Sequence, residues 1–154
     1  AGTYQAGTIK SAVGIGTLLA EGIGDTIRVS LTGDPVREVR VGFEILKSLG
    51  LRECGITIIS CPTCGRLEVD LVKIAEAVER KVARINKTLK VAIMGCTVNG
   101  PGEAREADLG VACGKQAALL FKNGKMVRKL REDEIVKTLV DEVLKWDDGR
   151  LQKT

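Results

Sequence analysis

Residues 56–66 read ITIISCPTCGR and join a strand-like apolar run to a turn that carries two cysteines. Residues 91–103 read VAIMGCTVNGPGE and repeat the arrangement, with an apolar run followed by a turn that carries Cys96. Open α/β sheets place their sites outside the carboxyl ends of neighbouring parallel strands. The two stretches therefore predict an α/β fold with a cysteine-rich site at one edge of its sheet.

The candidate ligands in these turns are three thiols and one carboxylate: Cys61, Cys64, Cys96 and Glu103. Thiolates suit a soft metal centre, whereas a carboxylate is a harder ligand. The set predicts one metal position with a weakly held ligand that a substrate oxygen could displace.

The flanking sequence predicts regular α/β units before the cysteines. Apolar residues recur with helical spacing from Thr8 to about Glu21. In residues 25–31, polar and apolar side chains alternate, as is typical of a strand. Asp34 and Pro35 indicate the start of a helix that ends at Gly50. A change in composition near residues 50–55 indicates a domain boundary.

The sequence beyond the boundary predicts a mixed sheet. Residues 67–85 have the pattern of an amphipathic helix, and residues 90–95 that of a buried strand. After the second turn, Asn123 and Gly124 indicate a β-hairpin between two further strands. A closing helix is predicted from Glu132 to Trp146.

Composition limits the class of function. The chain has 154 residues and a formal net charge of +4, without the dense basic runs of a nucleic-acid-binding protein. It has no stretch of about 18 apolar residues of the kind that spans a membrane. Five cysteines fit metal binding or catalysis in a reducing cytoplasm better than disulfides in a secreted protein. We expect a cytoplasmic protein.

The cysteine pattern leaves three interpretations open. The first is a zinc-stabilised binding module, but zinc needs a fourth ligand and the chain has no histidine. The second is a thiol-disulfide oxidoreductase that uses the Cys61–Cys64 pair, which leaves the Cys96 turn unexplained. The third is an iron–sulfur cluster. Cys54 and Cys113 are interpreted as buried small hydrophobic residues, the commoner fate of a cysteine.

The sequence resembles a known family, the 4-hydroxy-3-methylbut-2-enyl diphosphate synthases. The resemblance covers nearly the whole chain apart from the last ten residues. It is carried by SCPTCGR at 60–66, MGCTVNGPGEA at 94–104, GTIKS at 7–11 and EGIGDTIRVSL at 21–31. The element around Cys96 is the most specific of these.

The resemblance implies an oxidoreductase of the methylerythritol phosphate route to isoprenoids. Such an enzyme opens 2-C-methyl-D-erythritol 2,4-cyclodiphosphate by two-electron reduction with loss of water. It implies a [4Fe-4S] cluster held by Cys61, Cys64, Cys96 and Glu103. Glu103 would be the replaceable ligand, and flavodoxin or ferredoxin would be the electron donor.

The resemblance also implies the domain organisation. Residues 1–52 would be the end of a (β/α)8 barrel, and residues 53–154 a mixed α/β cluster domain with a C-terminal hairpin and helix. This chain would be an incomplete fragment, with most of the basic substrate-binding residues upstream of Ala1, so it would hold the cluster without completing the reaction. The full-length enzyme is expected to be a homodimer, with no nucleic-acid or membrane partner.

Four further residues are weaker candidates. Asn99 lies between the ligands, where its amide could face substrate, although Asn-Gly is also a favoured turn pair. Arg66 would either neutralise charge at the cluster or lie in the first turn of the following helix. Arg28 and Ser30, on the predicted strand 25–31, are candidates for phosphate contact, with burial or a solvent face equally compatible.

Overall fold

A computed structural model describes residues 1–53, 55–115 and 117–147. The chain divides into two compact units, residues 1–54 and 55–154. None of the helices among the described residues is long and apolar enough to cross a membrane.

The first unit is built around two helices, α1 (Tyr4–Ala20) and α2 (Pro35–Ser48). Helix α2 begins as predicted, because the Asp34 carboxylate accepts a hydrogen bond of 3.0 Å from the backbone N–H of Val36. Its buried face contributes Val41 and Ile45, which pack with Val29 in a small core.

The predicted strand at residues 25–31 is wrong. In the described part of this unit, the backbone pairing near it is a single bridge between Thr3 and Thr32. The N–H of Leu31 donates to the Glu38 carboxylate at 2.8 Å instead of to a neighbouring strand. Alternating side chains make a strand only where a second strand satisfies its backbone groups, and the described residues of this unit offer none.

The second unit contains a mixed sheet, as predicted. Its strands are β1 (Ile56–Ser60), β2 (Leu89–Met94), β3 (Leu109–Gly114), β4 (Ala117–Lys122) and β5 (Lys125–Leu130). They lie in the order β1-β2-β3-β4-β5 within the described residues. The pairs β1–β2 and β2–β3 are parallel, and the pairs β3–β4 and β4–β5 are antiparallel.

The helices of this unit are α3 (Leu71–Val82), α4 (Gly100–Glu106) and α5 (Ile135–Lys145), the last preceded by a 3-10 turn at Glu132–Glu134. Val91 and Ile93 of β2 join the larger core with α3 and α5. Ala92 and Met94 join a smaller core with Ala104 of α4. Successive residues of a strand point to opposite faces, so residues 91–94 of β2 are covered on both sides and form a continuous apolar run.

The closing elements agree with the sequence. Asn123 and Gly124 adopt φ values of 49° and 76° in the turn between β4 and β5, as a tight hairpin requires. The predicted helix from Glu132 to Trp146 is present as the 3-10 turn and α5.

Candidate metal centre

Both cysteine turns lie at the same edge of the sheet. In the parallel register, Ser60 of β1 is opposite Ile93 of β2, and Ile93 is opposite Val111 of β3. The residues that follow β1 and β2 are therefore neighbours. Cys61 directly follows β1, and Cys96 follows β2 by two residues.

The first turn is the more open of the two. Cys61 is half-buried and Cys64 is exposed. The carbonyl of Cys64 accepts a hydrogen bond of 3.2 Å from the N–H of Leu67, which closes the turn. Helix α3 begins only at Leu71, with Asp70 as its N-cap, so Arg66 lies before the helix. The interpretation that places Arg66 in the first helical turn is therefore wrong.

The second turn surrounds a buried sulfur with backbone donors. Cys96 is 8% exposed. Hydrogen bonds from the backbone N–H groups of Asn99 and then Val98 lower the pKa of the Cys96 thiol, against the opposing effect of its burial. The positive charge of Arg66 acts in the same direction as a smaller contribution. The turn therefore makes the thiolate, the form of cysteine that binds metals, easier to reach than it is for an ordinary cysteine.

Helix α4 follows this turn and was not predicted. Asn99 is its N-cap residue and Pro101 lies in its first turn, a known helix-start signal that could have revealed it. The backbone N–H of Glu103 donates to the Asn99 carbonyl at 3.3 Å. Both side chains are exposed, and the Asn99 amide caps no N–H group of the described helix.

The two turns are connected through Gly95. Its N–H donates to the Cys61 sulfur at 3.3 Å, and its carbonyl accepts a hydrogen bond of 3.0 Å from the N–H of Glu68. Neither Gly95 nor Glu68 was a candidate from the sequence, because their importance depends on how the turns lie against each other.

The four predicted ligands do not converge in this structure. Within residues 1–53, 55–115 and 117–147, no group of three or more histidine, cysteine, aspartate or glutamate side chains is close enough to hold a metal ion. The chemistry of the turns nevertheless fits a thiolate-bound group, since the sulfurs of Cys61 and Cys96 both receive backbone hydrogen bonds. The ligand set remains a prediction.

Cys113 has a different environment from the other described cysteines. It lies within β3, is fully buried, and belongs to the larger core, as expected for a small hydrophobic residue. Burial, followed by the nearby Glu132 and Cys61, raises the pKa of its thiol to about 12. Cys113 is therefore held as a neutral thiol. Cys54, interpreted in the same way, lies outside the described residues.

Arg28 and Ser30 belong to the first unit and are both exposed. Arg28 lines a groove of about 310 Å³ whose other lining is mainly apolar, including Val39 and Phe43. The carbonyl of Ser30 accepts a hydrogen bond of 2.6 Å from the amino group of Ala1. The proposed phosphate contact stays a prediction for both residues.

Comparison with known proteins gives two family matches. Residues 57–145 match the family model described as the GcpE protein C-terminal domain. Residues 1–43 match the model described as the GcpE TIM-barrel domain.

Curated relatives agree with these matches. The chain is 61% identical over 143 residues to a protein of Clostridium acetobutylicum, which covers 93% of this chain and 41% of the relative. It is 63% identical over 145 residues to one of Geobacter sulfurreducens, covering 94% and 41%. Both relatives are named 4-hydroxy-3-methylbut-2-en-1-yl diphosphate synthase (flavodoxin).

A third relative, from Symbiobacterium thermophilum, carries the same name and is 64% identical over 141 residues, covering 92% of this chain and 38% of the relative. The chain thus spans about two fifths of the length of the curated relatives it matches. The resemblance inferred from the cysteine turns is confirmed.

Proposed function

Since this chain belongs to the GcpE family, we propose that it is the cluster-carrying part of a 4-hydroxy-3-methylbut-2-enyl diphosphate synthase. The reaction would open 2-C-methyl-D-erythritol 2,4-cyclodiphosphate, taking up two electrons and two protons and releasing one water. The observation that carries the proposal is the family match over residues 57–145, which contains both cysteine turns.

The proposed ligands are Cys61, Cys64, Cys96 and Glu103, around a [4Fe-4S] cluster. When bound, the cluster would supply electrons one at a time, and the names of the relatives support flavodoxin as the source of those electrons. Hydrogen bonds to the sulfurs of Cys61 and Cys96 would stabilise their negative charge. The exposed Glu103 carboxylate, a harder ligand than the thiolates, would be the one that yields to substrate.

Other residues would act on the substrate rather than on the cluster. The Asn99 side chain is exposed and does not cap α4, so its amide would bind and orient a substrate oxygen. The substrate diphosphate would be bound mainly by residues of a barrel. Residues 1–52 would form the end of that barrel, and residues 53–154 would form the cluster domain attached to it. The full-length enzyme would be a cytoplasmic homodimer, without a nucleic-acid or membrane partner.

The test is anaerobic purification and reconstitution of the chain, followed by visible absorption and iron and sulfide analysis. We expect a brown protein with about four iron atoms and four sulfides per chain. A colourless protein with stoichiometric zinc would indicate the binding module instead. A reversible Cys61–Cys64 disulfide without iron would indicate the thiol-disulfide oxidoreductase.

The ligand assignment has its own test in helix α4. Glu103→Ala should leave the fold intact but loosen one iron, which electron paramagnetic resonance would detect as three-iron clusters. Glu106→Ala is a matched control, because Glu106 is also an exposed glutamate of α4. Identical spectra for the parent, Glu103→Ala and Glu106→Ala would remove Glu103 from the ligand set.

A further inference from the structure

Gly95 contacts the first cysteine turn through its N–H, its carbonyl and its Cα. The N–H donates to the Cys61 sulfur at 3.3 Å, and the carbonyl accepts from the N–H of Glu68 at 3.0 Å. The position that a Cβ would take overlaps Cδ2 of Leu67 and lies 3.3 Å from Cδ2 of Leu71. The Cα of Gly95 is therefore packed directly against the segment that follows Cys64.

From these contacts we propose that Gly95 is a positioning residue that holds the two cysteine turns at a fixed separation. It lies immediately before Cys96 and bonds to Cys61, so it sets where one sulfur lies relative to the other. This inference rests on the proposed function, because a metal group shared by both turns requires their sulfurs to meet. It adds Gly95, with Leu67 and Glu68 as its contacts, to the residues on which assembly of that site depends.

The contacts of Gly95 differ from those of Gly65 and Gly102. Gly65 in the first turn and Gly102 after the second have nothing within 4 Å of the position of an added Cβ. A methyl group is therefore tolerated sterically at those positions. At Gly95 the same methyl group overlaps Cδ2 at the end of the Leu67 side chain, which has to move, and the next residue, Glu68, supplies the second hydrogen bond.

The Cys61 hydrogen bond gives Gly95 an effect on the bound group as well as on its assembly. Hydrogen bonds to ligand atoms orient them, and changing such partners typically reduces metal affinity about 10- to 100-fold. Hydrogen bonds to sulfur also set the reduction potential of iron–sulfur clusters. Displacement of the Gly95 N–H should therefore lower the potential of a reconstituted cluster, an effect that a loss of global stability alone would not produce.

The first experiment follows amide hydrogen exchange in the metal-free chain. In the parent and in Gly102→Ala, we expect the Glu68 amide to be protected by its bond to Gly95. In Gly95→Ala this protection should fall at least tenfold. Leu67→Ala in the same chain as Gly95→Ala makes room for the methyl group, so the double variant should recover the protection. Circular dichroism confirms that each variant is folded.

The second experiment titrates the same four proteins with Cd²⁺ and follows the thiolate-to-metal absorption band. Soft thiolates bind this ion, so the titration reports how readily the sulfurs meet. We expect an affinity about tenfold lower in Gly95→Ala, near-parent affinity in Gly102→Ala, and recovery in the double variant.

The outcomes separate this inference from the proposed function. If Gly95→Ala keeps the parent's Glu68 protection and Cd²⁺ affinity, Gly95 does not position the turns. If both fall but Leu67→Ala fails to restore them, the packing against Leu67 is not the cause and the inference is wrong. If Cd²⁺ binds no better to the parent than to a variant with serine at Cys61, Cys64 and Cys96, the proposed ligand set fails, while amide exchange still decides the role of Gly95.

Discussion

The two units of the chain show what a strand-like sequence needs in order to become a strand. Residues 25–31 alternate in the first unit, yet the described backbone there makes one bridge, between Thr3 and Thr32. Residues 56–60 form β1 in the second unit because β2 lies beside them in parallel register. Local pattern is similar in the two cases, and the presence of a partner strand decides the outcome.

The hydrophobic cores of the two units differ in size. Val29, Val41 and Ile45 form the buried core of the first unit, with a few half-buried neighbours. The larger core of the second unit includes fully buried residues from β2, β3, α3 and α5, such as Val78 and Leu139. Because hydrophobic stabilisation scales with the apolar area buried, the second unit should carry most of the free energy of unfolding.

The largest expected effect is the loss of unfolding free energy when a core side chain is shortened, and it depends on which core is changed. Leu139→Ala removes a fully buried side chain from the second unit and should lower its free energy of unfolding by roughly 2–5 kcal/mol. Val41→Ala removes two methyl groups from the first unit and should cost only about 1–2 kcal/mol.

Urea denaturation measures both effects. Trp146 is the only tryptophan and packs against the core of the second unit, so its fluorescence follows that unit, while circular dichroism follows both. If Val41→Ala destabilises the chain as much as Leu139→Ala does, the contrast between the two cores is wrong.

Most elements of the second unit could be predicted because local signals and tertiary packing agree. The Asn123–Gly124 turn requires positive φ values that these residues tolerate, and the structure has them. Helix α4 was missed because its seven residues show no clear periodicity and three of its first four are Gly100, Pro101 and Gly102. The sequence signal for such a short element is limited to its start, here Pro101.

The sequence predicts where the site lies in the fold, but it does not predict how the two turns contact each other. Apolar runs followed by cysteine turns predicted that Cys61 and Cys96 follow neighbouring strands, and the parallel register of β1 and β2 agrees. The hydrogen bond from Gly95 to Cys61 depends on the exact approach of two turns that are 34 residues apart in the chain. A pattern of residue types carries no information about that approach.

A helix of the second unit is packed closely against a strand, whereas a helix of the first unit leaves open space at one of its glycines. A Cβ on Gly110 of β3 would overlap the carbonyl oxygen of Ala104 and lie 2.8 Å from its Cα, so α4 would have to move. Gly110→Ala should therefore destabilise the second unit by roughly 1–3 kcal/mol. Gly14, in α1 of the first unit, has nothing within 4 Å of an added Cβ, and Gly14→Ala should stabilise its helix by roughly 0.5–1 kcal/mol.

Thermal unfolding of the two variants measures these opposite signs. A stabilising Gly110→Ala would mean that α4 does not approach β3 as closely as the structure shows. Because α4 carries Glu103, the same variant should also weaken the proposed ligand set in reconstitution, whereas Gly14→Ala should leave it unchanged.

The smallest effect concerns pH and the N-cap of α3. Hydrogen bonds and the charge of Lys73 hold the pKa of Asp70 below its usual value of 3.8. A carboxyl group whose pKa is lowered on folding stabilises the folded state above its unfolded pKa, and this contribution is lost as the pH falls through the folded pKa. The second unit should therefore lose a small amount of stability as the pH falls below about 3.8, and less at high salt, because the pair is exposed.

Asp70→Asn isolates this effect, because asparagine still caps a helix but does not titrate. Its stability at neutral pH should be close to that of the parent, and its loss below pH 3.8 should be smaller. Lys73→Met is the matched control, since it removes the ion pair and leaves the carboxyl group free to titrate. An acid transition that is the same in the parent and in both variants would mean that the cap and its lysine do not contribute to the pH dependence, which would then arise from other carboxyl groups of the chain.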